Sequence, residues 1–156
     1  MRIGIGYDIH RVIHDKQEIV LGGVVIPAPF GLEAWSDGDV LVHAMCDALL
    51  GAAGLRDIGY YFPPGYARFK NIDSLTLLGK VIHLIDEKNY TIVNIDSVVI
   101  AEEPKLFPHV PAMQERLAAA CSIDVDRIMI KATTNEKVGP EGRGEAISAR
   151  AVVLIK

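Results

Sequence analysis

The stretch Trp35–Leu55, WSDGDVLVHAMCDALLGAAGL, decides how the rest of the chain is arranged. Ser36-Asp37-Gly38-Asp39 reads as a loop entering a helix, because Ser and Asp side chains accept hydrogen bonds from the unpaired amides of a first turn. The helix is expected to begin near Asp39. Leu41, Met45, Ala48, Leu49 and Ala52 recur at helical spacing, while Asp39, His43 and Asp47 lie on a different stripe, one turn apart. One helix thus carries an apolar face and an acid-His-acid face. A histidine flanked by carboxylates is more often a hydrogen-bonded surface or core group than a metal ligand, so the helix alone does not define a site.

A second stretch bears on that choice. In Met1–Arg11, MRIGIGYDIHR, residues alternate: Ile3, Ile5, Tyr7 and Ile9 face one side of a strand, and Gly4, Gly6, Asp8 and His10 the other. Asp8 and His10 then project together, and a third ligand from a packed helix would complete a metal site. Asp8, His10 and His43 are the candidate ligands. Zinc suits this mixed nitrogen and oxygen set, with a fourth position left open. The competing reading of an Asp-x-His pair is an ordinary strand end whose polar residues meet solvent.

With 156 residues, half of them apolar, the chain reads as one domain over 1–156 with a sizeable core. Its longest apolar run near an end, Ala151–Ile155, is far too short for a membrane span, and Met1–His10 lacks the apolar centre of a secretion signal. The expectation is a soluble, unsecreted protein without a membrane partner. Cys46 and Cys121 read as small apolar residues in a reducing compartment. A net charge of −4 argues against nonspecific nucleic-acid binding but leaves room for a small anionic substrate held by local cations.

The remaining elements follow from periodicity and punctuation. Glu18–Pro27 predicts a hairpin or bulged strand around Gly22-Gly23, and Arg56–Gly65 a loop broken by Gly and paired Pro. A helix is expected over Asp73–Lys88, a strand over Thr91–Glu102, and a helix after Pro111. Short strands at Arg127–Ala132 and Ala146–Lys156 flank the connection Thr133–Glu145. Its hydroxyls, acids, bases and glycines suit either a phosphate grip or a flexible hairpin loop. Helices follow one another without βαβ alternation, so the predicted fold class is α+β. It would be a two-layer domain in which helices cover one face of a mixed four-stranded sheet, with an oligomer covering the other face.

In order along the chain, GIGYDIHR (4–11), SDGDVLVHAMCDALLGA (36–52), DIG (57–59), FP (62–63), AEEPKLFPHVP (101–111) and KATTNEKVG with GRGE (131–145) resemble the 2-C-methyl-D-erythritol 2,4-cyclodiphosphate synthase family of the non-mevalonate isoprenoid pathway. The resemblance runs over nearly the whole length. It implies a homotrimer with sites at subunit interfaces. There the 2-phosphate of a cytidine-diphosphate-methylerythritol substrate attacks its own β-phosphorus and releases CMP, a phosphorus-oxygen lyase reaction. It implies zinc on Asp8, His10 and His43, and magnesium or manganese on Glu136. The cytidine would be bordered by Ala101, Glu102, Glu103, Pro104, Lys105, Leu106, Phe107 and Thr133, with Thr134 and Asn135 at the diphosphate. Asp57, Ile58, Gly59, Phe62 and Pro63 would meet the methylerythritol phosphate, beside Ile9, Trp35 and Ser36. Arg143 would face a trimer axis able to hold an isoprenoid diphosphate. The compartment implied is the bacterial cytoplasm, or a plastid after loss of a transit peptide.

Trp35 stands where the family usually has a histidine that stabilises the reacting phosphates, and Pro64-Gly65-Tyr66 replaces Asp-Thr-Asp. Pro140 and Ala146, beside Arg143, replace a usual Phe and Gly. Slow turnover, or compensation by another donor, is therefore expected, with the rate raised by Trp35→His. The readings that compete with the lyase are a trimer that binds metal and cytidine nucleotide without turnover, and a zinc phosphohydrolase.

Overall fold

A computed structural model describes residues 1–156. Strand β1 (Arg2–Ile13) leads to a hairpin, β2 (Glu18–Leu21) and β3 (Val24–Pro27), and to a very short β4 (Gly31–Leu32). Helix α1 (Val40–Ala53), one turn of α2 (Ile58–Tyr61) and α3 (Ser74–Asp86) follow. Then come β5 (Ile92–Ile100), α4 (Val110–Cys121), β6 (Ile128–Thr133), one turn of α5 (Gly139–Gly142) and β7 (Ala146–Ile155). The order β4-β1-β7-β5-β6 makes a mixed five-stranded sheet, parallel only between β5 and β6, and β2-β3 forms a separate pair. Helix α1 packs on one face of the sheet, α4 packs on β6, and α3 packs against both helices. No helix is long and apolar enough to cross a membrane.

The sheet therefore has five strands rather than four. The extra one arises because β1 continues past Arg11, so that Val12 and Ile13 pair with Leu32 and Gly31. A two-residue strand has no periodicity of its own to read. Arg56–Gly65 is likewise not wholly a loop, since Asp57 caps α2 by accepting from the Tyr60 amide at 2.9 Å. The Thr133–Glu145 connection is no hairpin, because β5 lies between β6 and β7. Gly22 and Gly23 do form the expected hairpin turn, both at positive φ.

Alternation in β1 is as the sequence predicts, and the glycines have a steric purpose. A Cβ on Gly4 would lie 1.9 Å from the Ala48 carbonyl oxygen, and one on Gly6 1.9 Å from that of Ala44. Helix α1 thus rests directly on the strand backbone, which no side chain would permit. The helix starts at Asp39, whose carboxylate accepts from the Val42 amide at 3.0 Å. It ends at Gly54 in the left-handed conformation. Contrary to the two-faced expectation, all of α1 except Asp47 and Gly51 is buried. It lies between the sheet and α3, so its polar residues are internal and need partners.

The other face of the sheet is uncovered in a single chain. Ile147, Ala149, Ala151, Val153 and Ile155 of β7 point into the core, whereas Ile3 and Ile5 of β1 are 72% and 74% exposed. Tyr7, Ile9, Met129 and Val152 continue that apolar surface.

Candidate metal centre and its pocket

Where β1 passes over α1, the side chains of Asp8, His10 and His43 converge. One ligand atom from each lies within 4.8 Å of the others. His43 Nδ1 is 2.8 Å from Asp8 Oδ2 and 3.2 Å from His10 Nε2, and His10 Nε2 is 3.1 Å from Asp8 Oδ2. The glycines at 4 and 6 set this up: by bringing the helix axis down onto the strand, they bring His43 level with the next two inward residues. Burial opposes ionisation of Asp8, but hydrogen bonds from both histidines outweigh it and hold the carboxyl below its ordinary range. Burial likewise opposes charge on His43, and Asp8 overcomes it, raising its pKa. Three inward donors, one carboxylate oxygen and two ring nitrogens in a cleft, fit a divalent cation such as zinc.

The cavity beside them encloses about 220 Å³ and is otherwise largely apolar. Trp35, Ser36, Ile58, Gly59, Phe62 and Pro64 line it, and Pro63 does not. The Trp35 indole N–H donates to the Tyr66 carbonyl at 3.2 Å, which ties the segment before α1 to the loop after Phe62. Ser36 Oγ lies 3.1 Å from His43 Nε2.

Two further groups in this region are not among the predicted site residues. Asp47 borders the cavity and accepts from the Ile58 amide at 2.7 Å, so it fixes the start of α2. Burial raises its pKa, against the pull of that amide. Its helical spacing from His43 was the only clue. Ser74, fully buried, places Oγ 3.0 Å from His43 Nε2 and 2.5 Å from Asp37 Oδ1. Asp39, on the same stripe as His43, is not a ligand: it holds the Gly23 amide at 2.8 Å, and burial pushes its carboxyl up to about 6.

The second predicted group forms a separate cluster. The Ala101 amide donates to the Thr133 carbonyl at 3.0 Å, and Glu102 accepts from the Asn135 amide at 3.1 Å and from Lys137 Nζ at 2.5 Å. Thr134 Oγ1 donates to Glu136 Oε1 at 3.0 Å, with Glu136 and Lys137 both at positive φ. Glu103 and Pro104 share a cis peptide bond, Lys105 and Phe107 are exposed, and Leu106 is core. None of these residues lines the cavity at Asp8, His10 and His43 within one chain. Arg143 pairs with Glu145 through two contacts of 2.9 Å, next to Pro140, Gly144 and Ile9 at another concavity.

The sequence profile of the YgbB family matches residues 1–156. The 2-C-methyl-D-erythritol 2,4-cyclodiphosphate synthase of Synechococcus sp. (strain JA-2-3B'a(2-13)) is 56% identical over 155 residues, which is 99% of this chain and 98% of that protein. The bifunctional IspDF of Campylobacter jejuni superposes with a TM-score of 0.95 at 41% identity, over 99% of this chain; this chain spans 42% of that longer one. An IspF from Plasmodium falciparum in a CDP complex superposes with a TM-score of 0.86 at 36% identity, over 99% of this chain and 94% of that one. A full-length profile match, a relative sharing more than half its residues, and the same fold around the same strand and helix lead to one conclusion: the chain belongs to the YgbB family.

Proposed function

We propose that this chain, acting as a single domain, converts 4-diphosphocytidyl-2-C-methyl-D-erythritol 2-phosphate to 2-C-methyl-D-erythritol 2,4-cyclodiphosphate and CMP. The observation that carries this reading is the convergence of Asp8, His10 and His43 at a cavity, in a chain whose relatives are named for that product. Asp8, His10 and His43 would hold zinc, and Glu136 a magnesium or manganese ion. Bound there, the two ions would supply Lewis acidity and neutralise the diphosphate.

The residues then have distinct tasks. Ser36 and the Asp57-Ile58-Gly59 turn would seat the methylerythritol phosphate in the cavity, with Asp47 keeping that turn in place. Thr134 would turn its hydroxyl from Glu136 to the diphosphate, and Ala101–Phe107 would receive the cytidine, chiefly through backbone groups and Lys105. No general base is required, because the attacking phosphate is already anionic. Catalysis would come mainly from holding nucleophile and phosphorus together in one bound molecule.

Because the nucleotide cluster lies apart from the metal cavity in one chain, we assign the complete site to the junction of two subunits in a homotrimer. The apolar outer face of the sheet supports this reading. The concavity at Arg143 would then lie near the threefold axis. An isoprenoid diphosphate entering there would have to displace Glu145 from the guanidinium.

Phosphorus NMR of zinc-loaded protein with magnesium and the substrate tests the proposal: cyclic diphosphate and CMP should rise together. Inorganic phosphate in their place would indicate a phosphohydrolase. The second reading, a trimer that binds metal and cytidine nucleotide without turnover, is favoured by Trp35, whose indole is engaged by Tyr66 and carries no charge. Substrate that binds and stays intact would establish it.

A further inference from the structure

We propose that Ser74 is a positioning residue for the metal centre: its buried hydroxyl accepts a hydrogen bond from the Nε2–H of His43 and donates its own to Asp37. This rests on the reading that Asp8, His10 and His43 hold a divalent cation.

The direction of the chain follows from what each atom can do. Asp37 Oδ1 lies 2.5 Å from Ser74 Oγ, and an ionised carboxylate only accepts, so the Ser74 proton points to Asp37. Asp37 Oδ2 also accepts from the Ser74 amide at 2.9 Å, which fixes the pair at two points. With its proton committed, Ser74 Oγ can offer His43 Nε2 only a lone pair across 3.0 Å. Nε2 must therefore carry a proton, and Nδ1 is the nitrogen left for the cation, 2.8 Å from Asp8. A ligating imidazole whose other N–H is held by an oriented acceptor is fixed in tautomer and ring angle.

Ser36 Oγ approaches the same Nε2 at 3.1 Å, but it stands on the cavity wall and accepts from the Gly38 amide at 3.3 Å. No fixed acceptor holds its proton, so that proton remains available to a ligand. Ser74 is sealed from the cavity, and its hydroxyl meets only His43 and Asp37. The relay also spans the fold. Asp37 precedes α1 and Ser74 opens α3, so the seating of α3 on α1 sets the angle of the ring.

The test is zinc affinity measured by competition with a chromophoric chelator, read with nitrogen NMR of the histidine rings. Ser74→Ala removes only the hydroxyl and leaves the backbone bond to Asp37. It should weaken zinc binding about 10–100-fold and abolish the slow solvent exchange of the His43 ε2 proton, with the far-ultraviolet circular dichroism unchanged. Asp37→Asn should weaken binding in the same direction, and the double variant should be no worse than Ser74→Ala, because the two act through one proton path. If Ser74→Ala failed to fold, the wild-type spectrum would still decide, since a rapidly exchanging ε2 proton or an Nδ1–H tautomer in the zinc form overturns the proposal. Zinc held equally tightly by wild type and Ser74→Ala overturns it too, while leaving the metal reading intact. A wild type that takes up no zinc overturns both.

Discussion

Trp35 occupies the edge of the metal cavity, but its only polar atom is turned to the Tyr66 carbonyl. Whatever an imidazolium would contribute to the reacting phosphates is thus missing from this position. Restoring it should raise kcat: Trp35→His is expected to accelerate cyclisation about 10–100-fold, on the scale of a single transition-state donor, with zinc content unchanged. An unaltered rate at equal metal loading would show that another donor already serves. Single residues of this kind are legible only where chemistry and position coincide. Asp8 and His10 were readable because a strand alternates strictly, and His43 because it shares a helix with two acids. Asp37 and Ser74 were not, for they meet across 37 residues of chain and neither belongs to a periodic pattern.

At the scale of elements, the contact between β1 and α1 governs both stability and site geometry. Gly6→Ala would force the helix away from the strand, since its Cβ would sit 1.9 Å from a backbone oxygen that cannot rotate aside. A loss of about 1–3 kcal/mol is expected, together with weaker metal binding, measured by thermal unfolding and chelator competition. Gly51, in the same helix, has nothing within 4 Å of the place its Cβ would take and gains helix propensity as alanine. Gly51→Ala should leave the site alone and stabilise by about 1 kcal/mol. Equal behaviour of the two variants would contradict the close-approach account. Helix and strand types were readable from period and punctuation, including the hairpin at Gly22-Gly23. The burial of nearly all of α1 was not, because Asp39 and His43 look like surface residues until their partners, Gly23 and Ser74, are known.

For the whole molecule, the uncovered sheet face is the surface that the proposed trimer would bury. Ile5→Lys places a charge at its most exposed strand position among the β1 isoleucines; on the proposed trimer reading, the wild type should elute as three subunits and the variant as one, measured by light scattering after size exclusion. Those subunits should still bind zinc at Asp8, His10 and His43 but should lose cyclisation, because the nucleotide cluster and the metal cavity would no longer meet. An oligomer of unchanged mass would exclude this face as the interface. The five-stranded layout, with β5 between β6 and β7, was beyond the sequence because strand order depends on pairings that no local window contains.

Strand β1 serves three neighbours at once: glycines to the helix, ligands to the cavity, isoleucines to the outside. Since its side chains alternate with a period of two, slipping its pairing with β7 by one residue would turn Ile3 and Ile5 against the helix backbone and Asp8 and His10 outward. Such a chain could neither close its core, nor ligate a cation, nor present the apolar face. If Asp8, His10 and His43 hold zinc as proposed, the fraction of molecules that take up metal would count those whose first strand has been threaded in register, and a colorimetric zinc titration would double as an assay of folding fidelity.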